Sequence, residues 1–293
     1  MQIKEAVLYP LRKLFTVAPF TGLLAEMLRK NPSSRLLRGI CPNHRLFPSH
    51  ARKTVKRRGI SFDLRLSDYM DWLLYFHSDT DSSAPVLEYV NKDNVILDIG
   101  GNIGQTALFM AEKTGRNGRV VSFEPFPETY RRFLTNLKLN PGIQNLTVEN
   151  IALGNSRDKL KMSATTEGNS GQTRIANPSE PGNNLVDVEV MPLSEYLKTR
   201  PLQKIDLIKI DVEGFEYNVL KGATDVIRSY QPVLFIELSD KNLQQQGSSV
   251  TQVVNLLSEM SYSVMDINSG EIIGETIPGH TDVICFPAKI DQR

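Results

Sequence analysis

The sequence predicts a doubly wound α/β fold on a mostly parallel sheet, preceded by a basic, partly helical extension. Three observations carry this. From residue 95 onward, short apolar runs alternate with helical stretches. The runs are apolar almost throughout, as strands covered on both faces are. A glycine-rich turn, Gly100, Gly101 and Gly104, joins the first run to the helix after it.

Residues 1–60 form the basic extension and residues 61–293 the main domain. The extension carries 13 Lys or Arg and two acids, Glu5 and Glu26, against 21 bases and 31 acids in the remainder, so a net charge of +1 hides an asymmetry. Apolar residues at helical spacing (Leu8, Leu11, Phe15, then Leu23, Leu24, Met27, Leu28) with Pro10 and Pro19 between them read as short helices. Such a segment is either a surface for peripheral membrane or anionic-substrate contact, or a helical cap with its charges in water. Residues 31–58 read as irregular. The cluster Arg52, Lys53, Lys56, Arg57, Arg58 is either a phosphate site or a solvated face. No aromatic residues interleave it, so no nucleic-acid partner is expected.

In the main domain, SFDLRL alternates like a strand, and residues 68–77 and Ala84–Val90 read as helices, the second capped by Ser82 or Ser83. Strands are predicted at Val95–Asp98, Val120–Phe123, Leu146–Ile151, Ile205–Ile210 and Val233–Leu238. Helices are predicted at Gln105–Glu112, Pro127–Leu139, Phe215–Ile227 and Val250–Met260. Tyr262–Ile267 and Asp282–Phe286, separated by turn signals at Asn268–Gly270 and Pro278–Gly279, read as an antiparallel pair. Residues 154–195 break the alternation: two strands, Lys159–Ala164 and Leu185–Met191, flank a polar Gly/Asn/Ser stretch. An insertion after the third strand falls near the rim where ligands sit, so it reads as a substrate-side flap.

At 293 residues, with 40% hydrophobic and 23% charged residues, the composition is that of a soluble globular protein. Two distant cysteines, Cys41 and Cys285, argue against a disulfide framework or a zinc site and fit a reducing cytoplasm. No apolar run reaches the ~20 residues a membrane span needs. No secretory signal is apparent.

The turn in NVILDIGGNIGQTALFM has the makings of a nucleotide site. Its glycines permit positive φ and close approach of a ligand, and the helix beginning at Gln105 offers free N–H groups. The order Gly-Gly-Asn-Ile-Gly puts Asn102 where a dinucleotide fingerprint needs its second glycine. Asp98 before the turn would repel a pyrophosphate and attract the ammonium of a methionine moiety. S-adenosylmethionine is therefore favoured over NAD. Glu124 ends the second strand, twenty residues past Gly104, where an acid accepts hydrogen bonds from ribose hydroxyls; alternatively it caps the helix that follows. Pro125 stops that strand and Phe126 is placed to pack near the ribose or adenine. Asn150, Ile151 and Ala152 take the adenine-edge position.

The fourth strand ends Lys209, Ile210, Asp211, followed by Glu213, Gly214 and Glu216. Alternation puts Lys209 and Asp211 on one face. Charges clustered at the end of a central strand are either catalytic or a salt-bridge network. Glu237, at the end of the fifth strand, reaches the same rim.

DIGGNIG, FEP, ALG, IDLIKIDVEGFEYNVLKGA and PVLFIEL, in this order, resemble the FkbM family of methyltransferases, over about residues 68–238. The resemblance implies a seven-stranded methyltransferase fold, S-adenosylmethionine as donor, and O-methylation of a sugar, glycan or secondary-metabolite hydroxyl. Asp211 or Glu213 is then the candidate base, with Lys209 tuning its pKa or stabilising an alkoxide. A divalent cation on Asp211, Glu213 and Glu237 is the alternative, and His77 a third candidate base. Rival functions are a nucleotide-dependent oxidoreductase on the same scaffold, an RNA methyltransferase using the basic front, and a non-catalytic binding module. The acceptor and the oligomeric state are not encoded in any recognisable pattern.

Overall fold

The computed structural model describes residues 2–77, 83–163, 169–170, 173–176, 185–273 and 279–288. They fall into two units: those within 1–82 and 165–171, and those within 83–164 and 172–293.

The first unit comprises α1 (Gln2–Leu14), α2 (Phe20–Lys30), α3 (Arg35–Ile40), β1 (Arg52–Arg57), β2 (Ile60–Arg65) and α4 (Tyr69–Phe76). Pro10 lies inside α1 and does not interrupt it. Ser34 caps α3 by accepting from Leu37 N, and Asp68 caps α4 by accepting from Met70 N and Asp71 N. The basic cluster read as irregular is a hairpin strand. Arg58 (φ 46°) and Gly59 (φ 89°) both take positive φ, as a two-residue I′ turn requires. Ile60, Phe62 and Leu64 turn inward. Arg52 pairs with Asp63 across the hairpin, and buried Arg57 donates to the carbonyls of Leu74 and Tyr75 at the end of α4. This hairpin straddles residue 60, so the first unit runs on to 82 instead of ending at the expected 60/61 boundary.

The second unit opens with α5 (Ala84–Glu88) and then β3 (Val95–Ile99), α6 (Gln105–Thr114), β4 (Arg119–Phe123), α7 (Pro127–Lys138) and β5 (Leu146–Glu149). The inserted strands β6 (Ala152–Leu153), β7 (Asp158–Ser163), β8 (Arg174–Ile175) and β9 (Leu185–Met191) follow, then α8 (Leu193–Thr199). The chain returns through β10 (Leu207–Ile210), α9 (Glu216–Tyr230), β11 (Val233–Ser239), α10 (Asp240–Gln245), α11 (Val250–Glu259), β12 (Tyr262–Asp266) and β13 (His280–Pro287). The main sheet has seven strands in the order β12-β13-β11-β10-β3-β4-β5. β11, β10, β3, β4 and β5 run parallel, and β13 inserts antiparallel between β11 and β12. The fold is therefore the expected doubly wound, Rossmann-like one. Strand order reverses between β3 and β10, which makes their carboxyl ends the place for a ligand.

The insertion forms its own four-stranded sheet, β6-β9-β7-β8. Its core of Met162, Ile175 and Val188 takes in Phe126, which is thereby buried rather than offered to a nucleotide. Most of the polar stretch between its strands lies outside the described residues, as do Ser82 and Pro278. Among the described residues no helix is long and apolar enough to cross a membrane.

One close approach locks the insertion to the main sheet's helices. A Cβ on Gly222 of α9 would stand 1.8 Å from the Gly154 carbonyl oxygen. Backbone cannot yield as a side chain does, so Gly222→Ala should destabilise by about 3 kcal/mol. A thermal melt should show Tm lower by on the order of 10 °C; an unchanged Tm would mean the contact is slack.

Candidate active site

The site is built on a polar row across the centre of the sheet. Register sets Ser122 of β4, Asp98 of β3 and Lys209 of β10 side by side. Ser122 Oγ donates to Asp98 Oδ2 at 2.6 Å. Lys209 Nζ lies 3.5 Å from Asp98 Oδ1 and 3.0 Å from Asp211 Oδ2, and donates to the Gly100 carbonyl at 3.2 Å. Burial alone would lower the Lys209 ammonium, but Asp211 and Asp98 hold it above its ordinary value. Burial pushes the Asp98 carboxyl up despite Lys209 and Ser122. Asp98, expected to face a ligand ammonium, is fully buried and lies against Lys209.

The glycine turn is shaped by what lies against it. Gly100 takes φ 95°, and a Cβ there would stand 1.8 Å from the Asp211 carbonyl oxygen, so the turn presses on the end of β10. Gly101 lies against Ser122 and Gly104 against the Phe133 ring, each with a Cβ position only 2.3 Å from the nearest atom. Between them Asn102 takes φ 47°.

Glu124 pins this turn and ties down the start of α7, whose N-cap is Phe126 and which has no side-chain cap. Its Oε2 accepts from Asn102 N at 2.7 Å. Its Oε1 accepts from Phe126 N at 2.9 Å and Thr129 Oγ1 at 2.7 Å. Burial raises the carboxyl to about 7. Asn102 Oδ1 beside it is buried and accepts no hydrogen bond from any described residue. The residues expected at the adenine edge make these contacts within the protein. Asn150 Nδ2 donates to the carbonyls of Glu124 and half-buried Pro125, Ile151 packs on the main core, and Ala152 is buried in β6.

At the other end of the row three carboxylates converge. Asp211, Glu213 and Glu237 each place one oxygen within 4.8 Å of the others. Burial would raise Asp211, but Lys209 and a hydrogen bond from Glu237 bring it below the usual carboxylate range. Glu237 is pushed up to about 10, first by the charge of Asp211 and then by burial. Glu213 is raised to about 8 by burial, Asp211 and Glu216. It takes φ 53°, a conformation that costs a non-glycine residue energy and gathers at functional sites. Asn242 Nδ2 holds its Oε2 at 2.8 Å. Glu216 is buried; its Oε1 accepts from Val212 N and Gly214 N, and burial raises it to about 7. This group could hold a proton or a divalent cation; oxygen-only ligands suit Mg²⁺ or Ca²⁺.

Sequence reasoning thus brought together Lys209, Asp211, Glu213 and Glu237. It missed Ser122, Thr129, Asn242 and His280, the last 3.6 Å from Glu237. Thr129 alone had a local signal, being a hydroxyl in the first turn of a helix behind an acid. His77 ends α4 in the first unit and packs on Trp72.

A family model described as the methyltransferase FkbM domain matches residues 98–264. The chain is similar to Methyltransferase 1 of Beauveria bassiana, 30% identical over 165 residues, covering 50% of this chain and 66% of that protein. It is similar to the hexuronic acid methyltransferase AglP of Haloferax volcanii, at 26% identity over 64% of this chain and 71% of that one. It is also similar to the 2-O-methyltransferase NoeI of Sinorhizobium fredii, at 23% identity over 68% of this chain and 85% of that one. The chain thus spans just under two thirds of the first of these relatives.

The raised carboxyls set a pH dependence. Glu124 and Glu216 (about 7), Glu213 (about 8) and Glu237 (about 10) keep protons that the unfolded chain releases above its ordinary carboxyl pKa. Folding stability should therefore be highest near pH 5 and fall as pH rises toward about 8, by on the order of 1 kcal/mol per pH unit for each of these carboxyls that is still protonated. Thermal melts across that range should show Tm declining, with a flatter decline in Glu237→Gln. A Tm that rises with pH would contradict the assignment.

Proposed function

The chain belongs to the FkbM methyltransferase family, and from that premise we propose that it methylates a hydroxyl of a sugar, glycan or secondary metabolite with S-adenosylmethionine as donor. The observation that carries the donor assignment is the pair at the glycine turn. Glu124 carboxylate and the unsatisfied Asn102 Oδ1 are neighbouring acceptors, fixed by one backbone N–H. Buried acceptors without donors are costly, and a ribose presents two hydroxyl donors. Gly100, Gly101 and Gly104 let the turn pack tightly on Asp211, Ser122 and Phe133, which holds Asn102 in place. The acceptor class is supported by relatives named for hexuronic acid and for 2-O-methylation.

S-adenosylmethionine supplies a methyl group on a sulfonium, open to in-line displacement by an alcohol oxygen. The residues at the end of β10 handle the proton. Asp211, with 34% of its side chain exposed, is the accessible carboxylate of the row. Its lowered pKa makes it a weak base, but an alcohol oxygen becomes strongly acidic as it gains the methyl group, so a weak, ionised base suffices late in the step. Lys209, enclosed by Asp98, Asp211 and the Gly100 carbonyl, acts as a positioning residue that keeps Asp211 ionised. Glu237, protonated at neutral pH, donates to Asp211 and fixes its orientation.

A second reading rests on the convergence of Asp211, Glu213 and Glu237. These three would hold a divalent cation, which would lower the hydroxyl pKa. Millimolar Mg²⁺ should then raise Tm at pH 8, and the rise should vanish in Glu213→Gln; no shift in the wild type would leave proton transfer by Asp211 as the mechanism.

Calorimetry with S-adenosylhomocysteine tests the donor site. The wild type should bind it and not NAD. Glu124→Ala should weaken binding about 10- to 100-fold, the worth of one or two hydrogen bonds to a charged group. Asp211→Asn should keep affinity within about threefold while turnover of labelled donor on uronic-acid-bearing glycans falls at least about 100-fold. Equal affinity in wild type and Glu124→Ala would refute the ribose role.

A further inference from the structure

The first unit carries an apolar surface that its own fold leaves uncovered. Leu11, Leu14, Val17, Phe20, Leu23 and Met27 follow one another at steps of three or four residues through α1, the turn and α2, and all six are exposed, Val17 to 57% and Leu23 to 54%. Hydrogen bonds from Thr16 N to Lys13 O and from Val17 N to Leu14 O carry the helical turn between them. In α2 this is a second apolar face. Thr21, Leu24, Ala25 and Leu28 already form the buried one. Residues three and four apart share a side of a helix, so Phe20, Leu23 and Met27 make a stripe beside the polar side that bears Glu26, Arg29 and Lys30. Leu36 on α3 adds a further exposed apolar side chain, at 74%. Single exposed apolar residues are ordinary; successive helical steps of them are not.

The charge around this stripe selects the occupant. Residues 8–40, which hold the stripe and α3, contain six Lys or Arg and a single acid, Glu26, and Glu26 is paired with Lys30 at 2.9 Å. A second copy docking by two-fold symmetry would set two strongly positive faces together. A nucleic acid would engage the charge and leave the aliphatic Leu, Val and Met side chains in water. A bilayer with anionic headgroups engages both, taking the apolar stripe at the acyl boundary and the basic residues at the phosphates.

We propose that the first unit docks on an anionic membrane surface through α1 and α2, with the stripe from Leu11 to Met27 entering the interface. This goes beyond methyl transfer and uses no residue of the candidate active site.

Vesicle flotation of the full chain tests it. With vesicles of phosphatidylcholine containing roughly 30% phosphatidylglycerol, the chain should bind at least about tenfold more tightly than to phosphatidylcholine alone. Binding should weaken about tenfold between roughly 0.1 and 0.5 M salt. Leu23→Asp combined with Met27→Asp should cut it by about tenfold or more, with the melting curve unchanged because both side chains are exposed. Equal binding of wild type and double variant overturns the proposal. So does a wild-type dimer in sedimentation that the double variant converts to monomer, since the stripe would then be covered by a second copy.

Discussion

The ammonium of Lys209 is the interaction on which the site depends. It is buried at the centre of the sheet, where an unpaired charge would cost several kcal/mol. Three oxygens meet it, from Asp98, Asp211 and the Gly100 carbonyl. Each belongs to a different part of the machinery: β3, the segment after β10, and the glycine turn. One cation therefore fixes the glycine turn and the Asp211 carboxylate in a single arrangement. Removing either acid would leave the charge underpaired, and the turn and β10 would lose their common anchor.

Glu124 repeats this economy on the neighbouring strand. Its two oxygens divide between α7, through Phe126 N and Thr129 Oγ1, and the turn, through Asn102 N. Glu124 makes no cap bond to α7, and its bonds here leave a place for a ribose hydroxyl, because a carboxylate has about four acceptor positions and three are in use. The three bonds that hold the carboxylate rigid also pre-organise it for hydroxyl donors.

What the sequence disclosed follows from what each signal depends on. Strands β3, β4, β10 and β11 were legible because burial on both faces forces apolar runs, and α7 and α9 because one buried face leaves a helical period. β1 was not, since RKTVKR is charged along its length and earns its place only by pairing with β2. α8 and α10 are too short for a period to show. In the site, the carboxylates after β10 were legible by position at a strand end. The role of Asp98 was not: a local reading sees an acid before a glycine turn, whereas the register that puts Lys209 beside it exists only once β10 takes its place next to β3. Asn242 and His280 come from later segments for the same reason, and strand order alone brings them to the rim.

The three carboxylates pose one electrostatic requirement. Asp211, Glu213 and Glu237 lie within 4.8 Å of one another, and like charges at that spacing in a partly buried site cannot all persist. Lys209 neutralises one of them. The remainder is met by a proton, which is why Glu237 and Glu213 sit at raised pKa values, or by a cation that displaces those protons. The base and metal-assisted readings are therefore two occupancies of one negative pocket, separated by pH and by cation concentration. In both, Asp211 is the group whose charge is fixed from behind by Lys209, and the proton or the cation supplies the positive charge that Glu213 and Glu237 still require.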